Sequence, residues 1–269
     1  MSRDLTATSS ISQTTVADSV RSLTTNTSVS TAGESIPRQQ RPQWTSPGLK
    51  TPTWGSSSGG DLSMICSTPI QAPLPLVVSL VIDVRTYPSW NSFAPSTTIT
   101  HQPKSTAPLP SCLCGSDYTD GVANNSTTLR DGTNFILDVL MDPSAEAHKP
   151  KTPGVQTQVR TRASPTLIVS CMEQFERDGR TGVRIAWRIK GRMAGLLYKS
   201  ERVQEFMPSE EDPEGSTDYR NWETHYGMFS SSIKSIMGKS IEKGYGGWMD
   251  GLKAFAEAKS KRARGAKRQ

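Results

Sequence analysis

Residues 227–257 read GMFSSSIKSIMGKSIEKGYGGWMDGLKAFAE, and this stretch decides how the rest of the chain is interpreted. Apolar and small residues recur along it at steps of three or four: Phe229, Ile233, Ile236, Ser240, Gly244, Trp248, Leu252 and Phe255. Such spacing predicts an amphipathic helix that lies on an apolar surface. At ~1.5 Å per residue, about thirty residues would form a rod about 45 Å long.

The middle of this predicted helix is rich in small residues. Ser240 and Gly244 fall on the apolar stripe, and Gly246 and Gly247 follow closely. Each glycine in a helix interior costs roughly 0.8–1.0 kcal/mol relative to alanine, so its presence needs an explanation. Either a glycine hinge separates two shorter helices, or one long helix bends or leaves room beneath its centre. We interpret the stretch as one long helix that covers a cavity.

The N-terminal quarter of the chain has a different composition. Hydrophobic residues make up only 34% of the whole sequence, below the usual 45–50%, so a sizeable part should lie outside any core. Residues 1–62 are rich in Ser, Thr and Pro, and we predict that they are disordered. Trp44 and Trp54 stand out there, and they either dock on the folded domain or remain unanchored.

The net charge of +6 comes from the C-terminal end of the sequence. Residues 259–269 contain six Lys and Arg residues and no acid, so residues 1–258 are close to neutral. A nucleic-acid-binding domain should carry a basic face within its fold, so we expect no nucleic acid on the folded domain. The basic tail could make a weak contact with an anionic surface.

The sequence offers no membrane span, metal site or cofactor motif. Its longest apolar run, Leu74–Ile82, is well short of the ~18–20 residues that a membrane span requires. Four cysteines without a secretory signal suggest reduced thiols, which predicts a cytoplasmic protein and leaves mitochondria and the nucleus open. Cys112 and Cys114 do not complete a zinc site. No phosphate-binding glycine motif is present, so we predict neither a metal nor a cofactor.

Period-two alternation and turn residues predict a series of strands in hairpins. The predicted strands are 64–70, 97–100, 135–141, 155–162, 166–175, 183–189, 198–207 and 219–226. A short helix over 72–83 follows the first strand, and insertions lie near 102–128 and 142–154. Hairpins indicate an antiparallel sheet, and the terminal helix needs an apolar face to cover. The predicted class is α+β, with a curved antiparallel sheet wrapped around a long C-terminal helix.

Several motifs in this order resemble one known group of proteins. The first motif is Thr68-Pro69-Ile70 with Ala72-Pro73, and it is followed by Asp83, Tyr87-Pro88, Trp90-Asn91 and Phe93. The later motifs are Trp187-Arg188-Ile189-Lys190-Gly191, Glu201-Arg202 and Trp222-Glu223-Thr224. Residues 63–258 thereby resemble the START-like (SRPBCC) superfamily, which includes polyketide cyclases, lipid-transfer domains and coenzyme Q-binding proteins. The resemblance implies a helix-grip fold with a hydrophobic cavity between sheet and helix. It implies no shared catalytic set.

Candidate site residues follow from position in the predicted elements. Glu223 and His225 share one face of a strand and could form an acid/base pair on an enolisable substrate. The alternative is that both face solvent, because Trp222, Thr224 and Tyr226 on the opposite face make the more natural core. The residues expected to contact a ligand are Cys171, Trp187, Met193, Tyr198, Phe229, Ile233, Met237, Ser240 and Gly244. Arg184, Arg188 and Lys190 are expected on a solvated outer face, or one arginine anchors a ligand.

Two functions remain open at this point, with a third behind them. The chain could bind a hydrophobic small molecule such as a lipid, isoprenoid, quinone or polyketide in its cavity, as a carrier or sensor. It could instead be a cofactor-independent cyclase, aromatase or dehydratase of secondary metabolism that uses Glu223 and His225. A scaffold with a vestigial pocket is the third reading. A carrier predicts an almost wholly apolar cavity, whereas an enzyme predicts converging ionisable groups.

Overall fold

The computed structural model describes residues 32–54, 59–104, 108–113, 126–141, 162–191 and 197–266. Its strands are β1 (Gln40–Thr45), β2 (Leu62–Ile70), β3 (Ser96–His101), β4 (Asn134–Leu140), β5 (Arg162–Ala163), β6 (Thr166–Arg177), β7 (Arg180–Ile189), β8 (Lys199–Pro208) and β9 (Thr217–Tyr226). Its α-helices are α1 (Leu74–Ile82), α2 (Tyr87–Trp90) and α3 (Ser230–Ala266). Short 3-10 turns lie at Val84–Thr86 and Ser111–Leu113.

The nine strands of the described residues form one curved antiparallel sheet. Their order is β1-β2-β9-β8-β7-β6-β4-β3, and β5 pairs with β4. The strand β9 lies between β2 and β8, in register with both. At the β6–β7 hairpin the backbone is left-handed at Asp178 and Gly179, as a two-residue Asp-Gly turn requires. The predicted α+β helix-grip fold is therefore confirmed.

The helix α3 is one continuous helix of 37 residues, so the two-helix alternative is wrong. Asp61 fixes its start, because the Oδ2 of Asp61 accepts hydrogen bonds from Gly227 N and Ser230 Oγ. The helix packs against β1, β2, α1 and α2. Its buried large residues are Ile241, Tyr245, Trp248, Met249 and Leu252.

The apolar stripe predicted for this helix is correct only in its second half. Phe229, just before the helix, is 46% exposed and Ile236 is 82% exposed, whereas Ile233 is half-buried. At the other end, residues 259–266 continue α3 instead of forming a free basic tail, because Lys, Arg and Ala are good helix formers. Ser260 is buried there, and Arg264 Nη2 donates to the Gly215 carbonyl at 3.2 Å.

An aromatic cluster closes one end of the sheet under α3. Tyr87, Trp90 and Trp248 pack edge-to-face with ring centroids 5.1–5.5 Å apart. Such pairs add about 0.5–1.5 kcal/mol beyond the area they bury. Gly251 lets α3 approach this cluster closely, because an added Cβ would lie 2.0 Å from the Trp90 carbonyl oxygen.

Residues 32–54, which we call the N-terminal segment, cover the outer face of the sheet. The prediction that disorder extends to residue 62 is therefore wrong for this segment. The strand β1 pairs with β2, and Ile36 is 1% exposed against Trp222 and its neighbours. The Trp222 Nε1 donates to the Lys50 carbonyl at 3.0 Å. These few specific contacts hold a segment whose average composition is that of a disordered chain.

Charged residues on the outer face are buried beneath this segment. Arg184 is fully buried, and its guanidinium lies 2.5 Å from Glu173 and 2.7 Å from Glu205. Arg177 binds the other oxygen of Glu205 at 2.8 Å and Glu34 of the N-terminal segment at 3.2 Å. The expected solvated face is thus a covered ion-pair network at Arg184. Arg188 is half-buried, with its guanidinium over the Trp54 ring.

Some predicted features lie outside the described residues. They include residues 1–31, Cys114, the insertion at 142–154, most of the predicted strand at 155–162, and Met193.

We expect Gly251→Ala to destabilise the protein by about 1–3 kcal/mol, because the new methyl group meets a backbone carbonyl that cannot rotate away. Gly265→Ala is the matched control, since an added Cβ there meets nothing within 4 Å. The control should be neutral or slightly stabilising. Urea unfolding followed by far-UV circular dichroism measures both, and equal midpoints would contradict the close approach.

We expect Arg184→Met to cost about 3–5 kcal/mol, because it removes the cationic partner of Glu173 and leaves the buried Glu205 with Arg177 alone. Arg188→Met removes a half-buried arginine from the same face of β7 and should cost below about 1 kcal/mol. The same unfolding assay compares them. Similar losses for the two variants would show that the outer face is solvated after all.

Candidate functional site

A cavity of about 250 Å³ lies between the inner face of the sheet and α3. Twelve of its eighteen lining residues are apolar: Phe93, Leu137, Val139, Met141, Ala163, Pro165, Leu167, Trp187, Ile189, Ile233, Met237 and Ile241. The other six are Tyr198, Ser200, Arg202, Glu223, His225 and Tyr245. The volume is just below the ~300–1,000 Å³ typical of small-molecule sites.

The polar residues converge because of alternation on two neighbouring strands. On β9, Glu223 and His225 face the cavity, and Trp222 and Thr224 face the N-terminal segment. On β8, Ser200 and Arg202 share the inner face, and the register places Arg202 directly opposite Glu223. The alternative in which Glu223 and His225 face solvent is therefore wrong. On the opposite face of β9, the N-terminal segment buries the Trp222 side chain.

The Glu223 carboxylate is held at the cavity wall by Tyr245, whose hydroxyl donates to Glu223 Oε2. Burial alone would raise the pKa of this carboxyl. The neighbouring imidazole of His225 and the Tyr245 hydroxyl outweigh burial, and the pKa of Glu223 is lowered. Burial also raises the pKa of Tyr245 well above its usual value. Near neutral pH the pair is a carboxylate and a neutral phenol.

His225 lies between two aromatic side chains. The Tyr198 hydroxyl is 2.7 Å from Nδ1 of His225, and the Trp44 ring centroid is 5.3 Å from the imidazole. Burial lowers the pKa of His225, and Glu223 opposes that shift only in part. The imidazole is therefore neutral near pH 7. Its Nε2 is buried and has no hydrogen-bond partner within the described ranges.

Arg202 is the cation of the cavity and is 4% exposed. Its Nε donates to Asn221 Oδ1 at 2.9 Å. Its guanidinium carbon lies 4.1 Å from the ring centroid of Trp248 and 4.4 Å from that of Tyr245. Stacking of this kind stabilises a desolvated cation by about 2 kcal/mol. Burial lowers its pKa, but the surrounding acidic groups, Tyr245 first, leave the pKa raised overall, so Arg202 keeps its charge.

The structure places the predicted site residues in three groups. Trp187, Tyr198, Ile233 and Met237 line the cavity, together with Glu223 and His225. Four predicted residues do not line the cavity: Cys171, Phe229, Ser240 and Gly244. Cys171 packs on the outer face of the sheet, in the apolar cluster that contains Trp222, and Gly244 packs against the Phe93 ring. Phe229 is 46% exposed and Ser240 is half-buried. Met193 lies outside the described residues.

Sequence reasoning missed Arg202, Ser200 and Tyr245. Tyr245 directly follows Gly244 of the predicted stripe, so a shift of one position in the assignment of the buried helix face would have included it. Arg202 and Ser200 alternate with Glu201 and Val203 along β8, and nothing local says which pair faces inward. The deciding signal is the register between β8 and β9, which places Arg202 beside Glu223.

The cavity wall contains groups that can exchange protons with a bound molecule. A carboxylate and a neutral imidazole can accept protons, and neutral phenols can donate hydrogen bonds to a developing oxyanion.

Searching the described residues reveals no cluster of three or more His, Cys, Asp or Glu side chains able to hold a metal ion. None of the helices in the described part of the chain has the length and apolar character of a membrane span.

Comparison with known proteins gives one curated relative and several similar structures. The chain is 29% identical over 199 residues to "Oxopyrrolidines biosynthesis cluster protein O" of Penicillium oxalicum, an alignment that covers 71% of this chain and 84% of that protein. No family model matches the chain.

Two solved structures illustrate the structural similarities. A hypothetical protein from Helicobacter pylori has a TM-score of 0.47 and 12% identity, over 79% of this chain and 97% of that chain. A Thalictrum norcoclaurine synthase point mutant has a TM-score of 0.37 and 7% identity, over 81% of this chain and 97% of that chain. The fold assignment rests on the sheet order and helix packing described above, and not on these similarities.

We expect the stability of the protein to fall between pH 7.5 and pH 5.0, in part because of His225. The pKa of His225 is lowered in the folded state, so below about 6.5 the unfolded chain binds a proton that the folded chain refuses. His225→Asn should therefore show a smaller loss across this window, which lies above the titration of ordinary carboxyls. Urea unfolding at the two pH values measures the loss.

The control for this prediction is His101→Asn, which changes an exposed histidine on β3. It should show the same pH dependence as the unmodified protein. An unchanged pH dependence in His225→Asn would indicate that His225 is not held neutral by burial.

Proposed function

We propose that this protein is a cofactor-independent enzyme that binds an apolar carbonyl compound in its cavity and moves a proton on it. The observation that carries the proposal is the convergence of Glu223, His225, Tyr198, Tyr245 and Arg202 on one wall of an otherwise apolar cavity. The apolar walls would hold the carbon skeleton. The polar wall would act on a carbonyl group and the carbon next to it.

The chemistry follows from the charge states of the two residues on β9. Glu223 is a carboxylate that accepts hydrogen bonds from Tyr245 and Ser200, and as a base it can accept a proton from carbon. His225 is neutral with an unpartnered Nε2, which can exchange a proton with a substrate oxygen. Positioned acid/base groups of this kind contribute about 10²–10⁴-fold to a rate. Enolisation, ring closure and dehydration all begin with such a proton transfer.

The curated relative supports a setting in secondary metabolism. Its name refers to a cluster for oxopyrrolidine biosynthesis, and an oxopyrrolidine is a ring compound that carries a carbonyl group. We propose that this chain belongs to a comparable biosynthetic pathway. Its ligand class would then be a polyketide or a related carbonyl compound.

A carrier function is the second candidate, and the twelve apolar lining residues favour it. A carrier needs the cavity but not the proton chemistry, so its ligand would be bound and released unchanged. The two candidates therefore differ in what Glu223 and His225 are needed for, and the same pair of substitutions separates them.

We expect Glu223→Gln and His225→Asn to abolish product formation and leave ligand binding intact. The gene would be deleted in its native host and complemented with the unmodified chain or with each variant. Culture extracts would then be compared by liquid chromatography and mass spectrometry. Both variants should accumulate the same precursor as the deletion strain, with product reduced at least about 100-fold.

Two controls accompany this test. Glu210→Gln, at an exposed glutamate in the loop between β8 and β9, should restore the full product level. Native mass spectrometry of purified Glu223→Gln should show a bound small molecule. If both cavity variants restore the product as well as the unmodified chain does, the enzyme proposal fails and the carrier function replaces it.

A further inference from the structure

We propose that Arg202 forms an anion subsite in the cavity, which holds the negatively charged oxygen of the substrate while Glu223 carries the proton. This inference rests on the proposed function and names the substrate class more closely. The substrate would be an apolar carbonyl compound acidic enough to bind as its enolate, such as a 1,3-dicarbonyl compound.

The first argument is that Arg202 lacks a carboxylate partner. Arg184 and Arg177, the buried arginines of the outer face, both bind Glu205 at 2.7–2.8 Å. Within the described ranges, no ion pair joins Arg202 to a carboxylate, and its Nη2 is buried without a hydrogen-bond partner. The charge of Glu223 acts on Arg202, but the two side chains form no direct ion pair. A buried charge without a direct ion pair is costly, so it is retained where something else binds it. A ligand anion in the adjoining cavity would complete the pair.

The second argument comes from the shape of the guanidinium group. Trp248 and Tyr245 stack against it, and Asn221 accepts from its Nε. A guanidinium is planar, so rings on its face leave the N–H groups at its edge available for a bidentate contact. Arg202 is itself a lining residue of the cavity. The Arg202 side chain therefore borders the space that a ligand would occupy.

The third argument concerns charge balance during the reaction. Arg202 and Glu223 lie directly opposite each other on β8 and β9. When Glu223 takes a proton from the carbon beside a carbonyl, the C–H bond breaks and its electron pair forms a C=C bond. The carbonyl π electrons move to oxygen, which becomes the enolate oxygen. The negative charge leaves Glu223 and reappears on the substrate, where Arg202 can stabilise it.

The inference can be tested with two probes of equal size that differ in charge. Naphthalene-2-carboxylate stands in for the enolate anion, and naphthalene-2-carboxamide is its neutral isostere. Glu223→Gln stands in for the protonated glutamate of the enolate complex. Quenching of tryptophan fluorescence measures both affinities, because Trp187 lines the cavity.

We expect Glu223→Gln to bind the carboxylate at least tenfold more tightly than the unmodified chain does, and at least tenfold more tightly than it binds the amide. Adding Arg202→Met to Glu223→Gln should bring the ratio of the two affinities close to one. Glu210→Gln should bind both probes as the unmodified chain does. Equal binding of the two probes to Glu223→Gln, or no binding of either, would overturn the proposal.

A second variant covers the case in which Arg202→Met fails to fold, as judged by circular dichroism. Arg202→Lys keeps the charge but loses the planar fork, so in the Glu223→Gln background it should reduce the carboxylate preference at least threefold. An unchanged preference in the variant that folds would overturn the subsite. These measurements involve no turnover. A charge preference that persists while the host experiment shows no change in product would leave the anion subsite standing in a carrier.

Discussion

The structure depends on strand β9 having both of its faces covered. Its odd-numbered residues Glu223 and His225 face the cavity, and its even-numbered residues Trp222 and Thr224 face the N-terminal segment. A slip of one residue in register would exchange the two sets and bury the tryptophan in the cavity. The hydrogen bonds of Trp222 to Lys50 and of Thr224 to Leu49 stabilise the observed register of β9. Because the N-terminal segment buries Trp222 on the outer face, the polar residues Glu223 and His225 can face the cavity.

The same division separates charges that stabilise the fold from charges that are free to act. On the outer face, Arg184, Arg177 and Glu205 satisfy one another and sit under the N-terminal segment. On the inner face, aromatic rings hold Arg202, and His225 retains an unpartnered Nε2 in the described structure. Charged groups that already form ion pairs with one another have few donors or acceptors available for a ligand. Within the described residues, Arg202 Nη2 and His225 Nε2 are buried atoms without a hydrogen-bond partner that belong to lining residues of the cavity, where a ligand could satisfy them.

The sequence was sufficient for the fold because the fold is carried by periodicity. Val183, Ile185 and Trp187 alternate clearly along β7, and the glycines of α3 did not break the helix. The sequence was insufficient for the site because alternation tells which residues share a face and not which face is inside. Trp222 and Tyr226 made the wrong face look like the core. Deciding between them requires knowing that residues 32–54 fold over the sheet, and their composition hides this.

The phase of α3 shows a related limit. Trp248 and Leu252 of the predicted stripe are buried, but in the middle of the helix the cavity is lined by Ile241 and Tyr245, one position after the predicted Ser240 and Gly244. Gly244 is needed for close packing against the Phe93 ring and not for an open space beneath the helix. The cavity lies farther toward the start of α3, under Ile233 and Met237. The small residue Gly244 thus marks a close helix contact, whereas the residues of α3 that line the cavity are larger.

The N-terminal segment also completes the site that it makes possible. Trp44 on β1 packs against the imidazole of His225, and Arg41 binds Asp250 of α3 at 2.7 Å. The segment therefore contacts the sheet, the helix and His225, one of the two residues proposed to act as acid and base. Its indole helps to keep His225 in an apolar setting, which is the cause of the lowered pKa of that imidazole. A segment that composition assigns to disorder thus contributes both to the covering of β9 and to the chemistry of the cavity.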